Sequence, residues 1–204
     1  MNCDYTESVT AHTGFHKIQL PLLTTFSMVF QIAVFKKGVS TLDLAKVFNV
    51  DEKTAYRFRS RVQDAMGVWL SKKGDKRKNS KCTKVDGIIV ANRGEELNGL
   101  QRLDLTLEEY SRKSSTAKLL RFRSAIPFDD AVDQCHLVAG RYVGERKDIR
   151  AWNYKTWLIG THHHCSDKNL VKYENEFLFR FNNRNCQEMI WHILISELML
   201  LKPN

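Results

Sequence analysis

The sequence predicts an α+β protein, with an N-terminal helix-turn-helix, a short-stranded α/β region and closing C-terminal helices. Three observations carry that expectation. Between residues 39 and 66 the apolar side chains fall on two helical stripes separated by a tight turn at Asn49-Val50. The run VDGIIV at Val85–Val90 is short, β-branched and followed by turn formers, the pattern of a buried strand. A helical period then returns twice, over Asp167–Phe181 and Gln187–Leu201.

Composition bounds the class. With 204 residues, 43% hydrophobic and 27% charged, the chain can bury a core and is not a disordered polymer. Its formal charge of +9, from 32 basic and 23 acidic residues, favours a polyanionic partner. Nucleic acid is the first candidate and an anionic membrane surface the second; a basic protein with neither role is the bland competitor. The five cysteines (Cys3, Cys82, Cys135, Cys165, Cys186) are scattered and odd in number, and the polar start MNCDYTESVT has no apolar core of a secretory signal. They read as reduced thiols of a cytoplasmic protein. No apolar run is long enough to span a bilayer, so no membrane partner is expected.

The elements follow in order. Residues 1–19 read as a leader, loose over the first 14. Leu22, Leu23, Phe26, Val29, Phe30, Ala33 and Val34 recur near a 3.6 period and predict a helix stopped by Lys36, Lys37 and an αL Gly38. Ser40 or Thr41 can cap the next helix, whose inner residues would be Leu42, Leu44, Ala45 and Val47. Asp51 caps a longer helix with Ala55, Phe58, Val62 and Ala65 inward. The unit 20–70 is therefore read as a helix-turn-helix module, and 71–84 (within it KKGDKRKNSKCTK) as a basic linker. Residues 85–204 form the second domain; 95–150 lack a clear period apart from a helix expected around Thr106–Tyr110, and Ser166 is placed to cap the helix that follows, with Leu170, Tyr173, Phe177 and Phe181 inward.

In a helix-turn-helix the second helix enters the major groove and its outward N-terminal residues reach phosphates or base edges. Those positions are Lys53, Thr54, Arg57 and Arg61, with Tyr56 on a flank. Lys and Arg neutralise phosphates, and Arg can also bond guanine bidentately. The competing view makes Arg57, Arg59 and Arg61 the solvated face of a core helix. Against it, eleven basic residues and only Asp64 and Asp75 as acids lie between Lys53 and Lys84.

The stretch WNYKTWLIGTHHHCSDKNLVKYENEFLFRFN, Trp152–Asn182, combines a strand-like aromatic run, a Gly-Thr-His-His-His-Cys turn and an amphipathic helix. It resembles the C-terminal end of ISXO-type insertion-sequence transposases, a branch of the DDE (RNase H-like) recombinases. KKGVSTLDLAKVFNVDEKTAYRFRSRVQDAM resembles the segment preceding their catalytic core, with Tyr56 where Trp is usual. The resemblance covers about residues 20–93 and 145–200. It implies a reduced RNase H-like domain over 85–204 and DNA transposition: binding of double-stranded DNA at element terminal repeats, with strand cleavage and transfer by two Mg²⁺ or Mn²⁺ ions. Oligomers bridging two ends and a cytoplasmic, nucleoid-associated location are further family expectations. Two ions roughly 4 Å apart demand carboxylates on adjacent strands and a third ligand.

Carried over residue by residue, Asp86 in KVDGIIVANRGEELNGLQ takes the first metal-binding position, Asn153 lies near the third, and Lys155 is suited to a phosphate. Gly87 follows Asp86 where an acid is usual, and family spacing puts the second Asp near Lys118 or Leu119, where no carboxylate stands. Asp86 read without the family is a polar residue at a strand start. The zinc ribbon of many members cannot form with Cys3 alone, and His162, His163, His164 and Cys165 in an extended segment could offer one ion at most two ligands; no zinc is expected. Two alternatives stay open: a catalytically inactive DNA-binding remnant, and a helix-turn-helix regulator.

Overall fold

The computed structural model describes residues 6–35, 37–74, 80–91, 100–112, 115–128, 148–162 and 167–202. Their elements are α1 (Leu22–Val34), α2 (Thr41–Phe48), α3 (Glu52–Gly74), β1 (Ser80–Ala91), β2 (Leu100–Arg112), β3 (Ser115–Phe128), α4 (Ile149–His162), α5 (Asp167–Asn182) and α6 (Gln187–Leu200). Helices dominate, beside one three-stranded sheet. The chain divides into two compact units. The first joins Met1–Trp69 to Asn183–Asn204, and the second is Leu70–Asn182, so the chain leaves the first unit and returns to it.

In the first unit, α1 buries Thr25, Met28, Val29, Ile32 and Ala33, whereas Leu23 and Phe30 stay exposed. It ends earlier than the sequence suggested. Phe35 is already extended, and Gly38, at φ 79°, closes a separate turn by donating to the Phe35 carbonyl (2.9 Å). Helix α6 presents Ile190, Leu194 and Leu198, a strict i, i+4, i+8 stripe, and packs on α1. The Trp191 indole N–H reaches the Phe26 carbonyl at 3.4 Å, and the two rings meet edge to face. This final helix thus completes the first unit rather than the second, where the expected boundary at residue 85 had put it.

The end of the leader is packed: Thr13 and Gly14, at the end of the stretch expected to be loose, are buried, whereas residues 6–9 are exposed. Phe15 is 2% exposed and sets its ring edge-on against Phe26, and the Gly14 N–H donates to the Leu198 carbonyl (2.7 Å). Its apolar content is low, and one main-chain hydrogen bond to α6 helps to anchor it.

In the second unit, β1, β2 and β3 form an antiparallel meander in that order. The expected strand Val85–Val90 lies inside the longer β1. The basic stretch 71–84 is not one linker: α3 runs to Gly74 and β1 begins at Ser80. The helix expected around Thr106–Tyr110 is strand β2, where Leu105 and Leu107 are buried and Thr106 between them is not. Alternation over DLTL outweighs the helix preference of Glu108 and Glu109. A bulge at Val85 shifts the β1–β2 register, and Pro127 sits on β3, which pairs with β2 alone among the described strands. No parallel pair occurs among the described strands, so the α/β connection expected for this region is not seen in them.

The strand-like run at Trp152 is also a helix. Ala151, Tyr154 and Leu158 of α4 are buried at i, i+3, i+7. Asp148 starts the helix: its carboxylate accepts from the Arg150 N–H (2.8 Å) and from the Arg150 guanidinium (Nη2–Oδ2, 2.6 Å). The Arg150 hydrogen bond holds the Asp148 carboxyl below its usual range, against a raising effect of burial. Helix α5 packs on β3 and is buried beyond the predicted face. Leu170 and Phe177 are inward as expected and Tyr173 and Phe181 are half-buried, but Leu178, Phe179, Glu174 (5% exposed) and Glu176 (0%) are buried as well.

Candidate nucleic-acid interface

The α2–turn–α3 segment is built by local chemistry before it is packed. Ser40 caps α2, its hydroxyl accepting from the Asp43 N–H at 3.0 Å and donating to the Asp43 carboxylate at 2.6 Å. The turn is a Schellman motif: Asn49 takes the left-handed conformation (φ 50°, ψ 50°), its N–H bonds the Lys46 carbonyl (3.3 Å), and the Val50 N–H bonds that of Ala45 (3.0 Å). Asn tolerates that backbone better than any β-branched residue. Asp51 then accepts from the N–H groups of Lys53 (3.0 Å) and Thr54 (3.2 Å), fixing where α3 begins.

Packing sets the rotation of α3. Ala55, Phe58, Val62 and Ala65 are all buried, as the sequence predicts. In α2 only Leu44 and Ala45 are buried; Leu42 (48% exposed) and Val47 (61%) face outward, because at 100° per residue they flank the side formed by Leu44, Ala45 and half-buried Phe48. With the inner face settled, Lys53, Tyr56 and Arg57 are exposed and Thr54 is half-buried on the first two turns of α3. Lys53 and Arg57, at i and i+4, share one side of the helix. Glu52 is an exposed acid in the same first turn.

The remaining arginines are structural anchors. Arg59 is 2% exposed, and its guanidinium donates to the Val39 carbonyl between α1 and α2. It is placed at Ala55+4 and Val62−3, on the inner stripe, so spacing alone could have assigned it inward. Arg61, expected at the DNA surface, is half-buried, and its Nη1 donates to the carbonyls of His16 (2.8 Å) and Gly14 (3.4 Å). Nothing in the spacing foretells this, because the acceptors are main-chain atoms 45 and 47 residues away.

The second group of candidates is less assembled. Asp86 lies on β1 just after the bulge and pairs with Leu105 of β2. Asp104 pairs with the next residue, Gly87. Neighbouring rungs belong to opposite faces of a sheet, so the register does not match Asp86 with Asp104. Lys118 and Leu119 pair with Ser111 and Tyr110, so no acid of β2 stands opposite them either. Asn153 and Lys155 would share a face of a strand, but on the helix α4 they are about 200° apart. Asn153 is exposed and Lys155 half-buried. Helix α4 does contact β1, which brings the element carrying Asn153 against the one carrying Asp86.

His162 ends α4 instead of lying in an extended turn, stacked on Tyr173 at 4.0 Å and edge-on to Trp157 at 5.2 Å. His163, His164, Cys165 and Ser166 lie outside the described residues. Among the described residues, no group of three His, Cys, Asp or Glu side chains stands together as a metal site would require. Nor is any described helix long and apolar enough to cross a membrane.

No protein-family model, curated protein or solved structure matches the chain.

Proposed function

We propose that the protein binds double-stranded DNA through α3 and descends from ISXO-type transposases. The observation that carries the binding is the pairing of Lys53 and Arg57 on the exposed side of a capped helix whose inner stripe, Ala55, Phe58, Val62 and Ala65, is buried. The overall charge of +9 supports it, because an excess of cations without matching acids attracts a polyanion over the whole surface. Descent is supported by the sequence resemblance at 36–66 and 152–182. On that basis the meander with its following helices is a reduced RNase H-like domain, and the DNA bound is that of element terminal repeats.

The test is binding of labelled duplex DNA, carrying such repeats or random sequence, over a range of salt. Each lost phosphate contact should lower the slope of log K against log salt by about 0.9. Lys53→Gln and Arg57→Gln should each remove about one such step. Binding that ignores both substitutions would overturn α3 as the reading helix.

A second reading, strand cleavage with Mg²⁺ or Mn²⁺, is favoured by one observation: the contact between α4 and β1, which bear Asn153 and Asp86. The described side chains do not supply the carboxylate set that two ions need, so no cleavage step is derived from them. Metal-dependent nicking of a repeat-bearing duplex, lost in Asp86→Ala, would establish that activity; salt-sensitive binding without nicking would leave a DNA-binding relic.

A further inference from the structure

We infer that Lys17, and not Arg61, is the cation that continues the Lys53–Arg57 row, presented to DNA by an N-terminal segment that Arg61 clamps against α3. The inference rests on the DNA binding proposed above and names a contact of that same surface.

Arg57 and Arg61 are one helical turn apart on α3, so an outward Arg61 would extend the row. Its guanidinium is instead committed to the His16 carbonyl at 2.8 Å and the Gly14 carbonyl at 3.4 Å. The segment therefore passes over α3 at the position where the next phosphate contact belongs. The residue following the clamped carbonyl is Lys17, which is exposed and held at φ 55°, a left-handed conformation that a lysine adopts only under local constraint.

The segment is anchored independently on its other side. The Gly14 N–H donates to the Leu198 carbonyl of α6, and a Cβ at residue 14 would meet that oxygen at 2.8 Å and Leu198 Cδ2 at 3.1 Å. Only glycine fits so close to a carbonyl. Thr13 braces the turn, its hydroxyl donating to the Thr10 carbonyl (2.7 Å) and accepting from the Phe15 N–H (3.1 Å). The one acid in residues 6–19, Glu7, is paired with His12 at 2.7 Å. Nothing acidic among the described residues of the segment competes with phosphate beside Lys17.

The experiment uses the full chain and a fluorescently labelled random-sequence duplex, with affinity measured from 0.05 to 0.3 M salt. Lys17→Gln should reduce the salt slope by about 0.9 and weaken binding roughly tenfold at 0.1 M salt. Arg61→Ala and Gly14→Ala, which release the segment from α3 and from α6, should do the same, although Gly14→Ala removes no charge. Combining Lys17→Gln with Arg61→Ala should add nothing further. An unchanged slope in Lys17→Gln overturns the inference, as does a double variant that loses two steps, because Arg61 would then touch phosphate itself. Wild-type protein that shows no salt-sensitive binding sinks the proposed function, and the inference with it. Lys17 is exposed, so its variant decides the matter even if the two anchor variants fail to fold.

Discussion

Helix α3 carries one group of candidate functional residues and helix α4 two members of the other, and the helices differ in what surrounds those residues. Around the first turns of α3 every neighbour has a stated job: Asp51 caps, Asn49 turns, Ala55 and Phe58 pack, and Arg59 ties the helix to the preceding connection. What is left outside is the Lys53–Arg57 pair, with Tyr56 and the acid Glu52 beside it. On α4 the packed face is equally clear, at Ala151, Tyr154 and Leu158, yet the two functional candidates diverge around the helix. A site is built when the leftover residues of a packed element converge, and only α3 meets that condition.

The contrast can be broken in several ways. The largest effect should come from Phe179, fully buried in α5: Phe179→Ala should cost about 3–5 kcal/mol in urea unfolding. If the α3 surface alone binds DNA, the folded fraction of that variant should retain wild-type affinity; a loss would draw the second unit into binding. Leu194→Ala, in the α6 stripe against α1, should cost about 2–5 kcal/mol by the same measurement and should also weaken DNA binding, because α6 anchors the segment beside α3. A loss below 1 kcal/mol would mean that α6 is not part of that core. Ser40→Ala should cost about 1 kcal/mol, whereas Ser40→Thr should cost little, since a threonine hydroxyl can also accept from the Asp43 N–H and donate to the Asp43 carboxylate. Equal losses in the two variants would remove capping as the reason α2 starts there.

The smallest effect concerns the start of α4. The Asp148 carboxyl, held below its usual range by Arg150, contributes stability that is present above the unfolded carboxylate range. That contribution is lost as pH falls through the lowered native value. Asp148→Asn should therefore flatten the acid limb of the stability–pH curve and leave its neutral limb nearly parallel. An unaltered acid limb would show that the pair is too well solvated to matter.

Much of the first unit was legible in the sequence because its signals are local. Ser40, Asn49 and Asp51 each act on main-chain groups within four residues, and the stripe Ala55–Phe58–Val62–Ala65 repeats the helical period without interruption. The outward positions of Lys53 and Arg57 follow from that stripe by subtraction. Arg61 escaped because its acceptors are carbonyls far away in sequence, and a carbonyl has no signature in the residue that bears it. In the second unit, Trp152, Tyr154 and Trp157 favour strands by type but form a helix by packing; the period Ala151, Tyr154, Leu158 was present and outweighed by aromatic content. The strand at Thr106–Tyr110 failed in the opposite sense, with Glu108 and Glu109 suggesting a helix while Leu105 and Leu107 alternate.

The return of the chain at Asn183 has a consequence for synthesis on the ribosome. Helix α1 exits early, but its buried face meets α6 only after residues 70–182 have been translated. At roughly 5–20 residues per second, that leaves Met28, Val29 and Ile32 without their partner for several seconds or more. A nascent chain stalled anywhere in that interval carries a helix-turn-helix sequence without the helix that finishes its core. The core of the first unit is thereby completed only after the whole second unit has been made.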